Sequence, residues 1–308
     1  MHISKPVSLF MIAVFFVCIT ACGQQEKKQA GIYANDNLVA WCIVPFDIKK
    51  RNPQERSEML TRLGITKLAY DWRGEHIPTF DEELNTLKKY NIKLQGFWLS
   101  LGRDPANDPY LRQILDLFKR HQMKTQLWCL LADDPLLNGM TQEEKIAYSA
   151  EPVAYVAREA AKVGCTVGLY NHGGWFGEPE NQLAIIDYLK MDNIGMVYNF
   201  HHAETQIERF PEFFPRILPH LLSLNLSGLI KGNPGRVVPI GQGDSEQEMM
   251  RIVRDSKYNG PIGIINETTD PDAEKGLRIN IEGLKKVLRS LGDTAALKTY
   301  KEDQIIAE

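Results

Sequence analysis

The stretch "YNHGGWFGEPENQ", Tyr170 to Gln182, sets a histidine and a tryptophan around two glycines and follows them with two glutamates. A second cluster, "YNFHH", places His201 and His202 just after Asn199. Imidazoles titrate near neutral pH, so His172 and His202 are candidate proton-transfer groups. Asp71 and Glu267, each at the end of an apolar run, are candidate acids, bases or orienting groups. Asn199 and Asn225 could donate hydrogen bonds to a carbonyl or enolate oxygen. Trp98, Trp128 and Trp175 offer flat faces for a sugar ring. Glu178 is a candidate partner for sugar hydroxyls. Glu180 reads instead as the first-turn acid of the helix "PENQLAIIDYL", behind Pro179.

These residues need a frame that brings them together. Eight short apolar runs recur at intervals of roughly thirty residues, the length of one strand–helix unit. They begin at Leu38, Ile65, Ile92, Lys124, Cys165, Ile194, Leu221 and Pro261. Each is apolar on both faces, as a parallel strand covered on both sides should be. The segments between them are amphipathic. "NPQERSEMLTRLG" sets Met59, Leu60 and Leu63 at helical spacing and stops at Gly64. The pattern predicts an α/β fold, a single (β/α)8 barrel over 38–291. An open doubly wound sheet fits less well, because no glycine-rich GxGxxG follows the first strand. In such barrels the chemistry lies at the carboxyl ends of the strands, where all the residues named above fall. Residues two apart on a strand share a face, so Tyr170 and His172 should both turn toward the barrel axis. By the same spacing His201 shares the inner side with Asn199, and either histidine of the pair could turn inward.

The beginning of the chain carries a different signal. An apolar run from Val7 to Ile19 follows Lys5 and leads to Ile19-Thr20-Ala21-Cys22. It is too short to span a bilayer and suits a secretory leader. Small residues before a cysteine resemble the lipobox of bacterial lipoproteins. That resemblance implies a leader over 1–21, lipidation of Cys22, a tether over 22–37 and an envelope location with membrane contact through lipid. A tail over 292–308 closes the chain. The net charge of −3 and the lack of any basic run argue against a nucleic-acid partner. Cys42, Cys129 and Cys165 sit in or beside apolar runs and read as buried thiols. Nothing in the sequence addresses the oligomeric state.

The eight-unit pattern, with "VGLYNHGG", "YNFHH", "LNLSG" and "PIGQGD", resembles the xylose-isomerase-like barrels, which include sugar isomerases, epimerases, lyases and hydratases of keto-sugars, and apurinic endonucleases. The resemblance implies a small carbohydrate as substrate. It also implies one divalent metal held by Glu, Asp, His and Glu at the ends of strands five to eight. Here Tyr170, Asn199, Asn225 and about Ile265 fall on those positions, and Gln242 stands where relatives often carry glutamate. Amide oxygens alone hold a divalent ion weakly. No cofactor is therefore expected at the family site; a metal on His172, His202 and Glu267 is the variant. Tyr170, His201 and Gln242 join the candidate substrate-binding set. The sequence thus points to proton transfer beside the carbonyl of a keto-sugar or 3-keto-glycoside. The alternative is a non-catalytic carbohydrate-binding barrel that has lost the metal site. Sugar phosphates fit less well, since Lys231 and Arg236 are the only nearby cations.

Overall fold

A computed structural model describes residues 1–2, 31–132, 134–231, 237–267 and 269–300. The leader (but for residues 1–2), Cys22 and Arg236 lie outside the described residues. The eight apolar runs form the strands β1 (Leu38–Trp41), β2 (Lys67–Tyr70), β3 (Lys93–Leu101), β4 (Gln126–Leu131), β5 (Thr166–Tyr170), β6 (Ile194–Asn199), β7 (Leu221–Leu226) and β8 (Ile262–Ile265). All pair in parallel, and β8 closes onto β1 with Trp41 opposite Ile265. A two-stranded ribbon, Gly228–Leu229 with Val237–Val238, follows β7.

Between strands the chain forms helices whose ends follow from local chemistry. Helix α1 (Pro53–Arg62) starts at Asn52, whose side chain accepts from the Glu55 amide while Glu55 reaches back. It ends at Leu63, and Gly64 takes the left-handed turn. Helix α2 (Phe80–Lys89) keeps acids in its first turn and lysines in its last. Helices α3 (Pro109–His121) and α4 (Gln142–Lys162) follow β3 and β4.

Alternation along each strand separates two apolar layers. Outward residues such as Leu68, Phe97, Leu127 and Leu169 pack under the helices. Inward residues form a separate cluster of Val39, Trp41, Ala69, Trp128, Tyr170, Val197 and Ile265. The barrel interior is thus filled by large rings, and small residues make room for them. A Cβ on Gly96 would lie 2.4 Å from the Trp128 indole.

The edges of the domain depart from the expected boundaries. Tyr33, inside the expected tether, is fully buried and donates to Met250 O at 2.8 Å. Tyr300, inside the expected tail, donates to Tyr33 O at 2.5 Å. Folded packing therefore begins before Leu38 and continues past Leu291, because these two rings fasten the flanking segments to the barrel body.

Candidate functional site

The floor of the candidate site is aromatic. Trp41 Nε1 donates to the Tyr170 hydroxyl at 3.0 Å, and Asn199 Nδ2 meets the same oxygen. Trp98 stands edge-on to Tyr170, with ring centres 5.1 Å apart. Asn199 is set by its neighbour: Asn171 Oδ1 accepts from the Asn199 amide at 2.7 Å, and Asn171 Nδ2 donates back to Asn199 O at 3.0 Å. Asn199 Oδ1 in turn accepts from the His201 amide at 3.0 Å. This chain of amides holds the turn that carries His201 and His202.

Three imidazoles meet above the floor. The rings of His172 and His202 are 4.3 Å apart, and those of His201 and His202 are 4.8 Å apart. Gly173 and Gly174 both have positive φ, which lets the chain turn sharply behind His172. His201 Nε2 lies 3.8 Å from Glu267 Oε2, and the Cys42 thiol lies 3.8 Å from the same oxygen. Burial holds His202 down to about 2, helped by the two neighbouring imidazoles, so its ring stays neutral. Burial also lowers His201, against the pull of Glu267 and Glu204. Its Nδ1 is buried without a partner.

Behind Glu267 lies a buried acid wall. Cys42 follows β1 in a left-handed conformation (φ 54°), and burial, then Asp71 and Glu267, push its thiol well up. Asp71 is 2% exposed, with no completed hydrogen bond to either carboxylate oxygen. Burial pushes it up to about 7; Arg73 and the backbone groups of Asp71 and Val44 offset this only in part.

The candidate residues separate by depth. His172, His201, His202, Glu267 and Trp98 come together at the mouth. Asp71 does not reach it, because its oxygens are covered. Tyr170 and Asn199 form the floor and are 2% and 0% exposed, so neither offers free surface for a ligand. Asn225 is also fully buried, with both amide atoms unpartnered.

Several expected placements are corrected. Trp128 is fully buried in the interior and bonded to Gln126, so it presents no face to a sugar. Trp175 turns to the outside of the barrel, where its Nε1 donates to Gln142 Oε1 at 3.1 Å. Glu178 is committed to Arg209 at 2.6 Å, and Glu180 pairs with the same guanidinium at 2.6 Å. Glu267 is not on a strand: β8 stops at Ile265, and Glu267 sits in the turn beyond. Gln242 is exposed on a loop that Glu246 holds through the Gly241 and Gly243 amides.

Sequence reasoning missed Cys42 as a neighbour of Glu267, Trp41 as part of the floor, and Arg73 and Phe46 at the rim. The signal was available: "LVAWC" and "YDWR" are strand ends like those already singled out.

The residues at the four expected metal positions do not fit a divalent ion. The Tyr170 oxygen already receives two donors, Asn199 Oδ1 receives a third group, and Ile265 is apolar. Only Asn225 keeps an open oxygen. The variant on His172, His202 and Glu267 is not formed either, since Glu267 faces His201 and Cys42. Among the described residues no group of three or more His, Cys, Asp or Glu is arranged to hold a metal.

Solved structures share this frame. The IOLI protein, solved with a binding zinc atom, superposes with a TM-score of 0.63 at 14% identity, covering 82% of this chain and 98% of its own. The 3-keto-D-glucoside 4-epimerase YcjR of E. coli gives 0.61 at 12% identity, covering 82% and 99%. The probable 3-DHS dehydratase AsbF of Bacillus anthracis gives 0.60 at 15%, covering 82% and 98%. At such identities the likeness is one of fold. No curated protein matches the chain by sequence. The family model described as "Xylose isomerase-like TIM barrel" matches residues 66–287, well over half of the chain, and the protein belongs to that family.

Proposed function

We propose that the barrel acts on a keto-sugar or 3-keto-glycoside by moving a proton next to its carbonyl. The observation that carries this reading is the meeting of His201 and Glu267 at 3.8 Å beside the His172 and His202 rings, whose centres are 4.3 Å apart. Imidazoles and a carboxylate at one mouth are the parts that general acid–base chemistry requires. A base takes the proton from the carbon next to the carbonyl. The C–H electron pair forms a C=C bond, and the carbonyl oxygen takes a proton from an acid of the cluster. Return of a proton to carbon completes isomerisation or epimerisation. Loss or addition of water instead gives elimination or hydration. The partly buried face of Trp98 gives the sugar ring a stacking surface beside His172. The names of two fold relatives, a keto-glucoside epimerase and a probable dehydratase, are consistent with such chemistry.

The test is exchange of C–H protons of methyl 3-keto-glucopyranoside in deuterated water, followed by NMR. Enzyme-dependent exchange supports the reading; its absence across a panel of keto-sugars counts against it. The rival is a carbohydrate-binding barrel without catalysis. It is favoured by the Trp41–Tyr170–Asn199 bonds in the place of the family's metal ligands, and binding without exchange would select it.

The lipid anchor is part of the same proposal. With Cys22 lipidated, the barrel would work at the cell envelope on sugars outside the cytoplasm. Replacing Cys22 with serine should release the protein from the membrane fraction; unchanged fractionation would refute the anchor.

A further inference from the structure

The rim carries a cation that proton transfer does not use. Arg73 follows β2 by three residues and is exposed. Its Nη1 donates to the carbonyl oxygens of Asp71 and Trp72, both at 2.8 Å. The guanidinium carbon lies 5.6 Å from the centre of the Phe46 ring. Phe46 and Trp98 are the two partly buried side chains that pack on the interior aromatic cluster, so Arg73 stands at the edge of the same opening. Among the described residues, Arg209 is committed to Glu178 and Glu180, Arg51 to Asp47 and Asp272, and Lys231 to Glu208.

The geometry of a guanidinium decides what is left over. Nε–H and Nη2–H point the same way and form the edge that grips both oxygens of a carboxylate. In Arg73 that edge has no partner among the described residues, while Nη1 is anchored by two carbonyls and the ring face is supported by Phe46. A side chain already held in place loses little freedom when it binds.

We infer that Arg73 is a specificity residue and that the sugar taken by this site carries a carboxylate, as uronic acids do. The inference rests on the carbohydrate reading above and narrows it. A singly charged, planar carboxylate matches one open guanidinium edge. A phosphate dianion commonly draws a second cation, and Arg51, Arg209 and Lys231 are already paired. Glu267, the partly buried carboxylate of the site, is turned toward His201 and Cys42.

Calorimetric binding of methyl β-glucuronide, methyl β-glucoside and glucose 6-phosphate to the full chain tests this. The glucuronide should bind about tenfold more tightly than the glucoside, the order of a charge-assisted hydrogen bond. Arg73→Gln should erase that ratio with little change in melting temperature, since the side chain is exposed. Arg73→Lys should restore only part, because it keeps the charge and loses the fork. Trp98→Ala should weaken both glycosides alike. Equal binding of the two glycosides by the wild type overturns the inference, as does a preference that survives Arg73→Gln or a tighter grip on the phosphate. If no sugar binds at all, the carbohydrate reading fails, and this inference fails with it.

Discussion

Trp41 and Tyr170 stand on β1 and β5, which face each other across the closed barrel, yet the indole Nε1 donates to the phenol oxygen at 3.0 Å. A bond across the full width of a barrel is possible only where two large rings point inward at the same height. It seals the interior and gives the site its floor.

The first prediction follows from that seal. Tyr170→Phe removes the acceptor of two buried donors, Trp41 Nε1 and Asn199 Nδ2. Each orphaned donor costs roughly 1–3 kcal/mol. The variant should lose about 2 kcal/mol or more in urea unfolding. A double-mutant cycle with Trp41→Phe should show coupling between the two positions. If Tyr170 served the ligand instead, stability would hold and sugar binding would fall.

The second prediction separates the histidines. The sequence named His202 as a proton-transfer candidate and left open which of His201 and His202 turns inward. The structure gives His201 the carboxylate partner. His201→Ala and Glu267→Gln should each lower the rate of proton exchange by about a hundredfold, the usual cost of a lost acid or base. Both should fold, since they sit at strand ends rather than in the apolar layers. A near-normal rate in both variants would move the chemistry to the His172–His202 pair, with His202→Ala as the deciding variant.

The barrel was legible because its signal is local and repeated. Every apolar run became a strand, and alternation told inward from outward residues. Depth was not legible. Trp98 and Trp128 pair directly in the β3–β4 register, yet one is partly open and the other sealed, because Gly96 lets the Trp128 ring sink into the interior. Nor does sequence show which charges pair across long separations. Glu178 is satisfied by Arg209, from the loop that follows the next strand, and Asp47 by Arg51 and the Ala273 amide at the far end of the chain. The same long-range closure brings Glu267 to Cys42. The three histidines, by contrast, were found because strand ends on neighbouring β5 and β6 must lie side by side.

The third prediction concerns metal. Of the residues at the expected family positions only Asn225 keeps an open oxygen, so dialysis against a chelator should leave proton exchange and melting temperature unchanged. Metal analysis should find well under one ion per chain. A stoichiometric zinc, manganese or cobalt whose removal abolishes exchange would overturn this and require the mouth residues to regroup around it.

The fourth prediction is a pH profile of stability with two opposing limbs. Asp71 titrates at about 7 in the folded chain, above its ordinary value of 3.8. Between those values the folded state binds more protons than the unfolded one, so this group's contribution is full below about 4 and is lost as pH rises toward 7. His202 acts in the other sense. Its folded value of about 2 lies below its ordinary 6.5, so its contribution is full above 6.5 and is lost as pH falls. The groups facing Asp71 are the Cys42 thiol, the Arg73 and Arg56 guanidiniums and the Val44 backbone. Asp71→Asn removes the alkaline limb alone. The variant should gain stability relative to wild type between pH 5 and 8, by at most roughly 4 kcal/mol, since each tenfold change in proton affinity is worth about 1.4 kcal/mol. Its acid limb should remain. His202→Phe should shrink the acid limb, to which the buried His201 also contributes, and leave the alkaline one. Urea unfolding of the three proteins at several pH values measures both limbs, and an Asp71→Asn curve parallel to wild type from pH 5 to 8 would show that Asp71 is ionised throughout.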